Sequence, residues 1–258
     1  TIGGAETVIG ADENFAVGNF VPMWFNETLT GSFTTPIEGG SDTLQFWNYI
    51  DISDLIVNTT GTELDSDLIV QLAPVADGEE IEDSITIENW GTTQFRIETF
   101  RFANGFILDT SMVSFAETGT DGDDILSFGT HSFFLTEISV ASWLNGGAGN
   151  DTLTGSQHYD ILVGGIGNDR MEGGNGDDIY VYSRGDGADT ILDTGSNAVG
   201  TDTNNPGGDK LLFSVGITIE DLILHRDGNT MNIYVADQDD MSISLTELTD
   251  VVSVENWN

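Results

Sequence analysis

The sequence contains no cysteine and only six basic residues, against 44 acidic ones, in a chain of 258 residues. The absence of cysteine excludes disulfides, cysteine-ligated zinc and thiol catalysis. The net charge is −38 and Lys210 is the single lysine, so the surface cannot neutralise phosphates, and we expect no nucleic-acid partner and no attraction to anionic membranes. No run approaches the roughly 18 apolar residues of a membrane span, so we also expect no membrane insertion.

Acidic, apolar and glycine residues are all abundant in the same chain. Hydrophobic residues make up 38% of the sequence, which is too many for a disordered acidic tail. Glycine occurs 32 times, well above its usual share of about 7%. Because a chain with this charge repels itself, these properties predict a folded, glycine-rich protein that needs cations.

Two segments of the chain, 40–61 and 207–228, are copies of one another. Their equivalent residues include Asp42, Leu44, Phe46, Ile52, Asp54 and Leu55, which recur as Asp209, Leu211, Phe213, Ile219, Asp221 and Leu222. The same spacing aligns Glu88-Asn89-Trp90 with Glu255-Asn256-Trp257. We therefore predict two copies of one small module.

Each copy has the pattern of a small β module. In copy two, Asp227-Gly228-Asn229 predicts a hairpin turn, Thr218–Asp221 predicts a capped helical turn, and 242–245 and 251–255 predict short strands. Copy one continues past Trp90 into a predicted strand, FRIETFRF, at 95–102. A second hairpin turn is predicted there at Asn104-Gly105.

Nine-residue repeats fill the segment between the copies. They are GGAGNDTLT, GSQHYDILV, GGIGNDRME and GGNGDDIYV at 146–181, with RGDGADTIL at 184–192 and GTDGDDILS at 119–127. Aspartate holds the sixth position of every unit and a large apolar residue the eighth. Glycine permits backbone angles closed to other residues, and positions seven to nine suit a short strand. The period therefore predicts a parallel β-coil with apolar eighth-position side chains inside and a column of carboxylates in its turns. Facing carboxylates need a cation, and hard oxygen ligands in a flexible loop favour calcium.

The nonapeptides resemble the haemolysin-type calcium-binding repeats of RTX exoproteins. DKLLFSVGITIEDLILHRDG and VENW resemble the haemolysin-type calcium-binding protein related domain that often accompanies such repeats. The resemblance implies a calcium ion between loops two repeats apart, held by carboxylates and main-chain carbonyls. It pairs loop 146–151 with 164–169, 155–160 with 173–178, and 164–169 with 184–189. The implied metal-site residues are Gly147, Gly149, Asp151, Asp160, Gly165, Gly167, Asp169, Gly174, Gly176, Asp178, Gly185, Gly187, Asp189 and Asp124.

Two parts of the ladder depart from the repeat. Ser156 and His158 replace glycines in the second unit, which weakens that site. The 18 residues between 127 and 146 equal two nonapeptides with Leu135 and Leu144 eighth, so we expect the coil to continue there without metal. Phe133 and Ser142 stand in place of aspartate, so loop 119–124 would face a loop, 137–142, that lacks the carboxylate.

Other motifs have simpler interpretations within the repeat. Ile191–Ser196 resembles an aspartic-protease loop, but no second copy of that motif occurs, and Arg184–Asp186 spells an integrin-binding tripeptide inside a repeat turn. Carboxylate pairs such as Asp177 and Asp178 lie in calcium loops, which argues against glycoside hydrolysis. The five tryptophans could form a sugar-stacking surface, although the equivalence of Trp90 and Trp257 favours packing.

The predicted organisation has four parts. Residues 1–39 are the tail of a preceding repeat block, with Glu6 sixth and Val8 eighth, plus a linker; 40–108 are module copy one. Residues 109–195 form the RTX β-roll, with core repeats at 119–127 and 146–192, and 196–258 are a linker and copy two, which we expect to be truncated. The fold class is therefore all-β, a parallel β-roll flanked by two homologous small β modules.

The function that the sequence favours is a non-catalytic, calcium-dependent structural or adhesive module of a secreted bacterial protein. The resemblance implies type I export in an unfolded state and folding in external calcium, as in an adhesin or surface-layer component. One alternative is an accessory domain of a secreted polysaccharide-active enzyme or protease, and another is a carbohydrate-binding module. Besides calcium, the expected partners are neighbouring copies in a tandem or surface array, or glycans.

Overall fold

The protein is all-β over the part of the chain that the computed structural model describes. The described residues are 14–17, 30–33, 43–46, 50–60, 66–72, 84–88, 90, 97–102, 105–110, 113–127, 141–192, 208–236 and 244–257. Within these ranges, regular structure consists of strands and short 3-10 turns, and no helix is long and apolar enough to cross a membrane. The chain consists of two compact units, Thr1–Ala116 and Glu117–Asn258.

The second unit is built around the predicted parallel β-roll. Its strands are β10 Ile125–Ser127, β11 Ala141–Ala148, β12 Thr152–Thr154, β13 Ile161–Ile166, β14 Arg170–Glu172, β15 Ile179–Tyr182 and β16 Ala188–Leu192. Successive strands alternate between two sheets, so that β11, β13 and β15 pair in parallel in one and β10, β12, β14 and β16 in the other. Each coil of two nonapeptides therefore adds one strand to each sheet.

The eighth-position side chains form the core of the roll, as the period predicts. Leu144, Leu162 and Tyr180 are in register in one sheet, and Leu153, Met171 and Ile191 in the other. All six are at most 2% exposed. Burial of such side chains contributes about 1.5–3 kcal/mol each, which makes this column the main apolar support of the coil.

The expected continuation through 128–145 is tested only at its end, because 128–140 lie outside the described residues. Leu144 is buried in β11, and Ser142 occupies the sixth position there, as predicted. However, Leu126 pairs directly with Leu153, at the position that an uninterrupted coil would give to Leu135. Leu135 and Phe133 lie outside the described residues. This coil advances 27 residues instead of 18 because the segment before β11 carries an additional nonapeptide length.

Module copy two extends both sheets of the roll. Its strands are β17 Lys210–Phe213, β18 Leu222–Asp227, β19 Thr230–Val235 and β20 Val251–Glu255. Strand β17 pairs in parallel with β15, and β20 pairs in parallel with β16 before β19 and β18 follow as an antiparallel meander. The capped turn at Thr218–Asp221 and the hairpin at Gly228, with φ +60°, are confirmed. The predicted strand at 242–245 is wrong where it is described, because Leu245–Glu247 is a 3-10 turn.

Module copy one, in the first unit, has the same order of elements. The strands of this unit are β1 Asn14–Val17, β2 Thr30–Phe33, β3 Thr43–Phe46, β4 Leu55–Thr59, β5 Leu68–Leu72, β6 Ser84–Ile87, β7 Thr99–Arg101 and β8 Ile107–Asp109, followed by β9 Val113–Thr118, which ends in the second unit. One sheet has the order β1-β3-β7-β8 and the other β2-β6-β5-β4. Strands β3, β4 and β6 thus correspond to β17, β18 and β20, which confirms the internal repeat.

The predicted domain limits remain predictions. Strands β1 and β2 lie within 1–39, the segment expected to hold a repeat tail and a linker, and they pair in parallel with β3 and β6. Glu6 and Val8, on which the repeat-tail interpretation rests, lie outside the described residues. The hairpin predicted near Gly105 is present between β7 and β8, although Asn104 is not described.

Candidate metal centre

One edge of the roll carries a column of four aspartates, which we call column one: Asp124, Asp151, Asp169 and Asp189. Each backbone N–H donates to Oδ1 of the next aspartate in the column, at 2.7, 2.8 and 3.0 Å in turn. The bonded residues are one coil apart, so the loops at 146–151, 164–169 and 184–189 stack as predicted. The repeat period places these aspartates next to one another, and the backbone N–H groups hold the carboxylates in position through hydrogen bonds to Oδ1.

A second column, which we call column two, follows the opposite edge and consists of Ser142, Asp160, Asp178 and Asp209. The N–H of Ser142 donates to Oδ1 of Asp160 at 2.6 Å, and the N–H of Asp160 to Oδ1 of Asp178 at 2.9 Å. The N–H of Asp178 donates to Oδ1 of Asp209 at 2.9 Å. Loops 155–160 and 173–178 are therefore stacked, and a calcium ion shared between them remains a prediction.

The second carboxylate oxygen is the one suited to a metal. Oδ2 of Asp151, Asp169 and Asp189 is buried and has no hydrogen-bond partner. A Cβ at Gly146 would contact both Oδ2 of Asp151 and the carbonyl oxygen of Gly164, so these two oxygens lie next to one another. A buried, unbonded carboxylate oxygen is costly, whereas a carboxylate and a carbonyl together are hard oxygen ligands of the kind that calcium prefers.

Glycine at the second and fourth positions is needed for two reasons. Gly165 and Gly167 have φ of +92° and +153°, and a Cβ on either would overlap a carbonyl oxygen of the loop stacked beneath, at Gly147 or Gly149. The other predicted glycines, in three further loops, share the positive φ: Gly147, Gly149, Gly174, Gly176, Gly185 and Gly187. Only glycine provides this conformation and this close approach together.

Two loops satisfy their aspartate without a cation. The N–H and the hydroxyl of Ser156 both donate to Oδ2 of Asp160, at 2.6 and 2.9 Å. Thr120 does the same for Oδ2 of Asp124, at 2.7 and 2.8 Å. In both loops a hydroxyl residue stands at the second position instead of glycine. This explains why the second unit is a weaker candidate, since its carboxylate already has donors.

The predicted environment of Asp124 needs a correction. Loop 119–124 does not face 137–142 but stacks on loop 146–151, because Asp124 donates to Asp151 and Leu126 pairs with Leu153. Its partner loop is therefore one with a complete repeat. What distinguishes Asp124 is its bond to Thr120, not a degenerate neighbour.

The electrostatics of the columns oppose the charged state of their aspartates. Burial, with a further contribution from neighbouring carboxylates, raises the pKa of Asp169 to about 6, of Asp186 to about 7 and of Asp189 to about 8. Burial also raises the pKa of Asp151 and Asp160. In contrast, the donors on Thr120 lower the pKa of Asp124. A cation at the unbonded oxygens would remove the conflict, so these residues fit calcium, with Asp151, Asp169, Asp189 and stacked carbonyls such as that of Gly164 as its holders.

The metal fit does not come from a cluster of side chains. Among the described residues, no three His, Asp or Glu side chains converge on one point. A site that takes its carboxylates from two stacked loops and its remaining ligands from main-chain carbonyls would show no such convergence.

Comparison with known families decides the nature of this segment. The family model of the RTX calcium-binding nonapeptide repeat matches residues 141–158, 145–180 and 160–191. Residues 141–191 are RTX calcium-binding repeats. Calcium is thus the cofactor of the roll, and the all-β RTX fold predicted from the sequence is confirmed. RTX repeats are not catalytic in themselves.

The flanking module and the whole chain were compared as well. The model of the haemolysin-type calcium binding protein related domain matches residues 54–112, in copy one. No curated protein sequence matches the chain. Among solved structures, the extracellular lipase LipA from Serratia marcescens aligns with 88% of this chain at 16% identity and a TM-score of 0.35. The chain spans 31% of that lipase's length.

Asp209 is the column residue that sequence reasoning missed. Its segment, Gly208-Asp209-Lys210-Leu211, has the sixth- and eighth-position pattern of an RTX repeat and a glycine with φ +112°. It was assigned to the module because it recurs as part of the larger repeat. The signal was therefore present, and the same residues serve both as the end of the RTX column and as the start of the module.

Of the competing motifs, the integrin-like tripeptide lies within the described residues and does not form a site there. Asp186 of the integrin-like tripeptide is buried, and Arg184 lies 3.5 Å from Asp221, so the tripeptide is not presented for recognition. The protease-like motif continues past Leu192 into residues that are not described.

Proposed function

We propose that this chain is a non-catalytic structural module of a secreted protein, and that calcium binding outside the cell drives the folding of its RTX roll. The observation that carries the proposal is the set of buried, unbonded Oδ2 atoms in column one. Stacking of these loops forces the carboxylates together, and that stacking is unfavourable until a cation joins them. Metal affinity then becomes folding free energy, because the unfolded chain has no site.

The charge of the chain supports the same sequence of events. A net charge of −38 keeps the calcium-free chain expanded by self-repulsion, which suits export in an unfolded state. External calcium then neutralises the columns and lets the apolar eighth-position side chains stack. Export by a type I system and a place at the cell surface are parts of this proposal.

Trp143 provides a direct probe of folding. It lies in β11 and is 1% exposed, within the roll. We expect EDTA to shift tryptophan emission to the red and to remove much of the far-ultraviolet β signal, and calcium to restore both. Magnesium should restore little, because it keeps its water ligands.

A Trp143→Phe variant controls for the other tryptophans, since its emission should change much less between EDTA and calcium. Identical far-ultraviolet spectra in EDTA and in calcium would refute calcium-driven folding. A red shift of equal size in the Trp143→Phe variant would mean that the change arises outside the roll.

A further inference from the structure

The two copies of the module differ in what covers them. Ile52, Val57 and Trp90 of copy one are completely buried. Their counterparts in copy two, Ile219, Leu224 and Trp257, are 84%, 62% and 46% exposed. Among the described residues, both copies have the same order of strands and the same capped turn, so the strands that lie beside each module are the first candidates for the cause of the difference.

In copy one the β7–β8 hairpin and the strand that follows it contact Trp90 and the edge of β3. Strand β7 pairs in parallel with the outer edge of β3, with Phe100 opposite Leu44. The Phe100 ring lies 6.5 Å from that of Trp90 and 5.6 Å from that of Phe46. The indole N–H of Trp90 donates to the carbonyl oxygen of Val113 at 3.1 Å. The hairpin thus completes both a sheet and an aromatic core.

In copy two the corresponding edge is open among the described strands. Strand β17, the counterpart of β3, is the outermost strand of its sheet. Leu211 and Phe213 are partly exposed, whereas their counterparts Leu44 and Phe46 are at most 1% exposed. An open strand edge beside exposed apolar side chains is a template for pairing with another strand.

We propose that β17 and the exposed face of Ile219, Leu224 and Trp257 form a docking site for an aromatic β-hairpin with the chemistry of β7–β8. The incoming strand adds in parallel to the edge of β17 and places an aromatic residue opposite Leu211, as Phe100 stands opposite Leu44. This is β-strand addition, in which backbone bonds give affinity and side-chain pockets give specificity.

Two further observations favour this occupant. The family model that matches copy one spans residues 54–112, so the hairpin belongs to the domain and is not an accessory of this chain alone. The segment 95–112 also carries Arg96 and Arg101, two of the six basic residues in the protein, which balance its Glu98 and Asp109. The hairpin therefore adds no net negative charge where it meets a chain of net charge −38.

The test attaches the hairpin to the protein itself. Residues 92–118 are appended after Asn258, which reproduces the spacing of copy one, and the calcium-loaded chain is compared with the unextended one. Linking raises the effective concentration of the hairpin, so weak affinity is not limiting. We expect slower amide exchange over 210–213 and a blue shift in the emission of Trp257, measured against a Trp257→Phe variant. The extension with serine at the positions of Phe100 and Phe102 should give neither change.

Variants of the docking face provide the second arm. A peptide of residues 95–112 is titrated into the calcium-loaded protein, and Leu224→Asp should weaken its binding about tenfold or more, because docking would bury the new charge. Ile125→Asp is the matched control, since Ile125 is 78% exposed at the opposite end of the same sheet. Unchanged exchange and emission in the extended chain would overturn the proposal. So would equal effects of the two variants, or burial of Trp257 by dimerisation of the unextended chain.

Discussion

Replacement of Asp169 by asparagine separates the two roles of the column. Oδ1 of Asp169 accepts the N–H of Asp151 at 2.8 Å, and the asparagine side chain can keep this bond. What it loses is the negative charge and the ligand quality of the buried Oδ2. Loop 164–169 has complete partners on both sides, 146–151 and 184–189, so the change affects two predicted calcium sites.

The expected effect has opposite signs with and without calcium. Without calcium, burial raises the pKa of Asp169 to about 6, so at neutral pH the charge opposes folding, and Asp169→Asn should leave stability unchanged or raise it. With calcium, removal of a charged ligand should cost about 3–5 kcal/mol, by analogy with broken buried ion pairs. In a domain of this size that lowers Tm by on the order of 10 °C.

The assay is the far-ultraviolet β signal of each variant in EDTA and its thermal unfolding in millimolar calcium, with calcium titrations by calorimetry. Asp121→Asn controls for the change in net charge, since Asp121 is exposed in loop 119–124. Asp124→Asn should lower calcium affinity much less than Asp169→Asn, because Oδ2 of Asp124 is held by Thr120. A loss of folded protein in EDTA comparable to that in calcium would show that the Asp169 carboxylate stabilises the roll without a bound cation. An equal effect of Asp124→Asn would show that our ranking of the sites is wrong.

Three other outcomes test the same site. Ser156→Gly should raise the calcium affinity or stoichiometry measured by calorimetry, because Asp160 loses a donor and its loop gains the second-position glycine of the other units; unchanged calcium binding would contradict this reasoning. Gly167→Ala should lower Tm more than Gly185→Ala, because both have positive φ but only the first would overlap a stacked carbonyl oxygen, that of Gly149; equal losses would mean that backbone conformation alone requires the glycines. In EDTA, the stability of the folded roll should rise as pH falls from about 8 towards 5. The folded-state pKa values of Asp169, Asp186 and Asp189 are about 6, 7 and 8, above the roughly 3.9 of an unfolded aspartate. The folded state therefore binds more protons than the unfolded state over this range. The far-ultraviolet β signal in EDTA at each pH measures this trend, since acidification should restore part of it, and calcium affinity should fall over the same pH range; a flat profile would argue against the burial of these carboxylates.

The repeat could be predicted from the sequence because its signal is periodic and each position has one physical role. The stacking of loops 146–151 and 164–169 follows from a two-unit coil, and the burial of Leu162 from the alternation of strands between sheets. The register of Leu126 with Leu153 could not be predicted in the same way, since counting nonapeptides assumes that every one of them forms a strand of the coil. The frame supplied Leu135 and Leu144, and Leu144 lies in the stacked part.

Local signals were present for two of the misses. Ser244-Leu245-Thr246-Glu247 has the spacing of a capping box, and its backbone forms a capped 3-10 turn where the alternation of residues predicted a strand. Asp209 carried the repeat pattern but was assigned to a larger unit. The exposure of Trp257 is different, because its sequence context equals that of Trp90. Burial there depends on which strand lies alongside, and that information is not local to the tryptophan.

The alternation of strands between two sheets also limits how such a protein can change its length in evolution. Deletion of one nonapeptide would move every later loop to the opposite column, so that aspartates of column one would continue into those of column two. It would also attach β17 to the sheet that now receives β20. Gains and losses in the roll are therefore expected in pairs of units. A count of nonapeptides in a related sequence thus predicts, by its parity, which of the two sheets receives the first strand of its terminal module.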